Sequence, residues 1–134
     1  MPYALIATAA LHVLTAVFWA GTTFALARTG GAAAERLFKP QLAAAVLACL
    51  SGGYLGHTLH GHSIGASEQV LITAAAAAVI ALLVQISIVG DAMRTLREGA
   101  RDHAPARAQA TLGHRFAAGL LGLAAIGMAV ARYL

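Results

Sequence analysis

The chain has 134 residues, of which 60% are apolar and only 10% charged, with a formal net charge of +4. A soluble domain averages about 45–50% apolar and about 25% charged residues, so this composition does not supply a water-facing surface. A soluble globular domain, a disordered chain and a disulfide-stapled scaffold are set aside, and an integral membrane protein remains.

A helix needs about 20 mainly apolar residues to cross a ~30 Å hydrocarbon core. Four runs meet that need, and the expected fold is an all-α, four-helix transmembrane bundle in a single domain. The first span covers about 3–27 and the second about 42–59. The third covers about 70–89, with Thr73, Gln85 and Ser87 as its only polar side chains. The fourth covers about 116–134 if Arg132 snorkels to the boundary. None of these runs alternates as membrane β-strands do. Ala25-Leu26-Ala27 resembles a signal cleavage site, but no basic residue precedes the apolar run, so the first span is expected to be retained. Cys49 lies mid-span without a cysteine partner and reads as a small packing residue.

The connections carry the turn residues and charges. Ala27–Gln41 reads as a loop with Gly30, Gly31 and Pro40, and His60–Gln69 as a short one. Asp91–Asp102 reads as a helical continuation of the third span, with Arg94 and Glu98 paired at i,i+4 and Pro105 ending the run. Arg28, Arg36, Lys39, Arg94, Arg97, Arg101, Arg107 and Arg115, eight of the nine basic residues, fall in the first and third connections. The positive-inside rule then puts those connections in the cytoplasm and both termini outside. The expected location is a bacterial inner membrane. The basic charge is a topology label and calls for no nucleic acid.

Polar groups inside hydrocarbon are costly, and each needs a reason. In the first span Thr8, His12, Thr15, Trp19 and Thr22 or Thr23 recur at helical spacing and share one face. The threonines can return their hydroxyls to their own backbone. His12 has no such local solution. In the second span Gly53, Gly56, His57 and His60 share a face, and Gly52 and Gly56 form a small-xxx-small step for close helix approach. Gly53 and Gly56 beside a buried His57 would make room for a flat cofactor. Counted from the span centres, His12 and His57 lie in the same outer half, about 6 Å apart in depth. A histidine in a span can also be a packed residue bonded to a carbonyl. His60 and His62 also fit as solvated boundary residues. His103 and His114 fall on the other side, His114 beside Arg115 reading as an interface anchor.

Imidazole binds haem iron, copper and zinc. His12 and His57 can clamp a haem iron from two sides. Alternatively His12, His57 and His60 can form a three-nitrogen copper or zinc site, fed from the edge by His60 and His62. Met128 is a candidate soft ligand for copper(I), though lipid or core packing is the simpler reading of it. Arg132 can pair with a haem propionate or anchor the helix. No carboxylate lies inside a span, and no catalytic triad or phosphate loop is present. The fourth span carries a small-residue face of Ala118, Gly119, Gly122, Ala125 and Ala129, fit for packing within the bundle or against another subunit.

The segment Leu11-His12-Val13-Leu14-Thr15-Ala16-Val17-Phe18-Trp19-Ala20-Gly21, an H-x6-W-x-G pattern, resembles the first helix of the copper-resistance D (CopD) family. It is also similar to the HemJ-type protoporphyrinogen oxidases, small membrane proteins with a histidine-ligated b-type haem. Arg36-Leu37-Phe38-Lys39-Pro40 and the glycine-rich second span extend the likeness over about the first half of the chain. The resemblance implies that His12 is a ligand, with Trp19 and Gly21 shaping its site. HemJ-type enzymes carry a lysine in a later span, whereas the only lysine here is Lys39. The resemblance therefore does not imply protoporphyrinogen oxidation, and it does not choose between copper and haem. CopD proteins are usually longer, which makes this chain a minimal unit that can need to oligomerise.

Two expectations from different classes follow. One is a membrane redox-cofactor protein holding b-type haem or copper through His12, His57, His60 and His62, for electron transfer or copper handling. The other is a cofactor-free structural subunit of a larger respiratory or photosynthetic membrane complex.

Overall fold

The computed structural model describes residues 2–30, 33–60, 64–99 and 101–134. It is an all-α bundle of four helices, each long and apolar enough to cross a membrane. They are α1 (Pro2–Thr29), α2 (Ala34–Leu59), α3 (Ala66–Arg97) and α4 (Ala104–Ala131). At 1.5 Å per residue each exceeds a ~30 Å hydrocarbon core, so the ends project beyond it.

The helix boundaries follow from local chemistry, and they correct the sequence reading in two places. The first connection is shorter than Ala27–Gln41, because α2 begins at Ala34 and runs through Pro40. Pro40 is the seventh residue of α2, past the first turn whose N–H groups lack partners, so the helix runs through it without the backbone bond to the Arg36 carbonyl. This puts Gln41 on a packed helix face, where it is 1% exposed. At the third connection, α3 ends at Arg97, short of Asp102, and Gly99 takes the left-handed turn at φ +73° that glycine adopts freely. Pro105 opens α4, in the first-turn position where its missing N–H is harmless. The Arg94–Glu98 pair is present at 3.4 Å on the exposed face of α3. The start of α3 is capped by Glu68, whose carboxylate accepts the Gly65 N–H at 2.9 Å.

Within α3, Gln85–Val89 forms one wide π-type turn, with the Gly90 N–H reaching back to the Gln85 carbonyl. Ala81, Gln85 and Val89 are all buried. Two successive four-residue steps drift off a face of period 3.6, and the wide turn takes up that drift.

Around the bundle α2 packs on α1, α1 on α4, and α4 on α3, while α2 and α3 barely touch. Neighbours are antiparallel: Thr23 of α1 meets Gln41 of α2, and Gly113 of α4 meets Val89 of α3. The basic residues named above therefore gather at one end. The core is built mainly from alanine, in two clusters. One lies around Leu26, Val89, Met93 and Ala110, the other around Trp19, Ala45, Ala81 and Ala117. Small residues let the helices approach closely where hydrophobic burial supplies little drive. The outward side chains are apolar: Leu14, Leu50, Leu83 and Leu123, one from each helix, are all more than half exposed.

Candidate cofactor cavity

Because α2 and α3 part from each other, the end of the bundle opposite the basic residues contains a cavity of about 800 Å³. His12, Ala16 and Trp19 of α1 and Leu121 and Met128 of α4 line its back. Gly53, Gly56 and His57 of α2 face Ile72 and Ala75 of α3 across it. Its walls are almost wholly apolar, apart from the histidines and Glu68 near the start of α3.

His12 is held in one orientation. Its Nδ1 lies 2.9 Å from the Ala48 carbonyl oxygen and 3.3 Å from Ser51 Oγ. A carbonyl only accepts, so Nδ1 carries the proton and donates it. Ser51 gives its own hydroxyl proton to the Leu47 carbonyl at 2.6 Å, which leaves its oxygen free to accept from His12. Nε2 is then the bare nitrogen. It makes no hydrogen bond among the described residues and is not occluded. A histidine with its Nδ1–H on a backbone carbonyl and its Nε2 free has the tautomer and orientation of a metal or haem ligand.

The glycines of α2 divide into two roles. A Cβ on Gly52 would lie 2.8 Å from His12 Cε1, so the imidazole seats directly on this backbone. Cβ atoms on Gly53 and Gly56 would meet nothing within 4 Å, and both residues border open cavity. The close approach expected at Gly52 and Gly56 is thus made at Gly52, by a side chain.

The other predicted ligands are less well gathered. His12 sits level with Ala48–Ser51, which leaves His57 six to nine residues further along α2, about 9–13 Å. His57 lines the cavity but is exposed at its rim, in contrast to the buried residue expected. His60 is half-buried at the same mouth, with its Nδ1 occluded and without a partner among the described residues. His62 lies outside the described residues. Among the described residues no group of three His, Cys, Asp or Glu side chains is placed to hold a metal ion, so the three-nitrogen His12–His57–His60 site is not assembled. Met128 lines the cavity. Arg132 does not; its guanidinium lies over the Tyr133 ring at 5.0 Å.

Trp19 closes the inner end of the cavity and starts a hydrogen-bond network the sequence reading missed. Its indole Nε1–H donates to Gln85 Oε1 at 2.6 Å. Gln85 Nε2 donates to Thr23 Oγ1 at 2.9 Å, and Gln41 Nε2 donates to the same oxygen at 2.9 Å. Thr23 passes its own proton to the Trp19 carbonyl at 2.7 Å. One hydroxyl thus donates once and accepts twice, its full capacity. Gln85 was visible as a polar residue in a span; Gln41 was hidden by its assignment to a loop. Thr8, Thr15 and Thr22 bond the carbonyl four residues back, as expected. His114 does not anchor an interface. It is wholly buried on α4, and neither ring nitrogen has a partner among the described residues.

Comparison with protein-family models, curated proteins and solved structures finds no match for the chain.

Proposed function

We propose that the protein is a CopD-like, membrane-embedded redox-cofactor protein that binds b-type haem through His12. The observation that carries this reading is the His12 imidazole, fixed by the Ala48 carbonyl through Nδ1 and leaving Nε2 free beside a large apolar cavity. The cavity volume lies in the range of small-molecule and cofactor pockets, about 300–1,000 Å³. A flat macrocycle needs a wall without side chains, and Gly53 and Gly56 supply one. Bound haem would supply one-electron chemistry; the protein's part is to hold His12 in one tautomer and to keep water from the apolar walls. His57 and Met128, both on the cavity, are the residues that would help His12 to hold the group. Copper is less well supported, because no set of three ligands converges among the described residues.

The basic end is assigned to the cytoplasm and the cavity end to the outer side, in a bacterial inner membrane. The partner that delivers or removes electrons would then reach the cavity from outside or from within the bilayer, and the small-residue face of α4 allows a homo-oligomer or a larger complex.

The test is an absorption spectrum and a metal analysis of detergent-purified protein. A Soret band that vanishes in His12→Ala and persists in His103→Ala is the expected result. Stoichiometric copper without that band would replace haem by copper. A colourless, metal-free protein that co-purifies with other subunits would overturn both and leave the accessory-subunit reading. A reporter fused after Leu134 tests the orientation; activity in the cytoplasm would reverse it.

A further inference from the structure

The seam between α1 and α4 lies across the bundle from the α2–α3 opening and near the basic end. It holds a shallow groove of about 500 Å³ bounded by Phe24, Ala27, Arg28, Arg115, Ala118 and Gly119. Two features of different chemistry meet there. At the top are two guanidinium groups, both exposed. Arg115 is oriented by its Nε–H, which donates to the Ala27 carbonyl at 3.4 Å in the last turn of α1. Arg28 belongs to that same turn. Neither is in an ion pair among the described residues, where the pair formed is Arg94–Glu98. Below them runs an apolar trough. A Cβ on Gly119 would meet nothing within 4 Å, and one on Gly122 would touch only the Phe24 ring, at 3.7 Å. Phe24 itself is exposed and forms the wall.

A soluble anion would use the arginines and leave the trough bare. A transmembrane helix would fill the trough but gains nothing from two unpaired positive charges. A lipid with an anionic headgroup satisfies both, its phosphate on the guanidinium groups and one acyl chain along Gly119 and Gly122. We propose that this groove is a binding site for an anionic phospholipid of the leaflet at the basic end.

The experiment is native mass spectrometry of the detergent-purified protein titrated with phosphatidylglycerol or phosphatidylcholine. Phosphatidylglycerol should be retained in preference to phosphatidylcholine. The double variant Arg28→Gln/Arg115→Gln should weaken its retention by at least roughly tenfold, the combined effect of two surface cation contacts. Arg94→Gln/Arg97→Gln, which removes two charges from the same end outside the groove, should leave it within about twofold. Gly119→Leu places a side chain in the trough, where its Cβ meets nothing within 4 Å, and should also reduce retention of the diacyl lipid. Equal retention of the two lipids overturns the proposal. So does an equal loss in both arginine pairs, which would mean diffuse attraction, or full retention in Gly119→Leu, which would mean that no acyl chain lies there.

Discussion

The two halves of the bundle handle buried polarity in opposite ways. At the basic half Trp19, Gln85, Thr23 and Gln41 bond one another across three helices, and Thr23 Oγ1 is saturated. At the other half His12 is tied down through one nitrogen only, and α2 and α3 part to leave an open cavity. A network of this kind, in which Gln41 Oε1 alone lacks a partner among the described residues, specifies how helices fit together; a group held on one side and free on the other is set up to meet something from outside the chain. The half that packs loosely is therefore the half with a candidate site.

The hardest test of this contrast is Gly52→Leu. His12 sits on Gly52 with no space for a Cβ, so any larger side chain must push the ring off the Ala48 carbonyl or force α1 and α2 apart. Overpacking of this kind costs about 1–3 kcal/mol. The variant should unfold at markedly lower temperature in detergent and lose any His12-dependent absorbance. Wild-type stability together with wild-type absorbance would mean that His12 is not held as described.

Thr23→Val probes the other half. The replacement keeps the shape and removes the oxygen that accepts from both Gln41 and Gln85. Gln85 Nε2 is then left without a partner among the described residues, and Gln41 Nε2 keeps only its 3.2 Å bond to Thr22 Oγ1. Hydrogen bonds inside membranes average about 0.6 kcal/mol each, so the expected loss for the two is about 1 kcal/mol. Thr22→Val should cost less, because Thr22 is half-buried and accepts only the longer 3.2 Å bond from Gln41. Equal effects at the two positions would show that the network is not centred on Thr23.

How much of this was legible in the sequence follows the same division. The four spans, the single basic end and the Thr backbone bonds were readable, because composition and helical period determine them. His12 was readable as a polar residue with no local solution. The partner of His12 was not, since the register of α1 on α2 depends on which small residue admits the ring. Gly52 does so, and that register leaves His57 at the rim instead of opposite His12. Gln41 was missed because the nearby proline, glycines and charges looked like a loop, whereas α2 begins at Ala34 and continues through Pro40. The wide turn at Gln85 leaves no mark in a pattern of apolar residues.

His114→Leu reverses the usual sign of a core substitution. The ring is wholly buried, between layers of the two alanine-rich clusters, and both nitrogens lack partners among the described residues. Leucine of similar volume removes that desolvation cost, and the protein should gain about 1 kcal/mol. A loss of stability instead would mean that the imidazole is bonded in the working protein, which would extend the polar network of this half onto α4.

The smallest effect on stability is the most informative about the cavity. Gly53→Ala and Gly56→Ala place methyl groups where nothing lies within 4 Å, and both sit in a helix that alanine favours. Removing glycine gains up to about 1 kcal/mol in an exposed helix interior, so the melting temperature should hold or rise slightly. Binding is a separate matter. If a flat cofactor lies against this wall, larger side chains at the same positions, Gly53→Leu and Gly56→Leu, should abolish its absorbance while the fold stays intact. The same pair leaving the absorbance unchanged would show that the cofactor does not use the glycine face. A cavity that accepts leucine without loss of either property would be packing space for another helix, and the contrast between the halves would then be one of assembly.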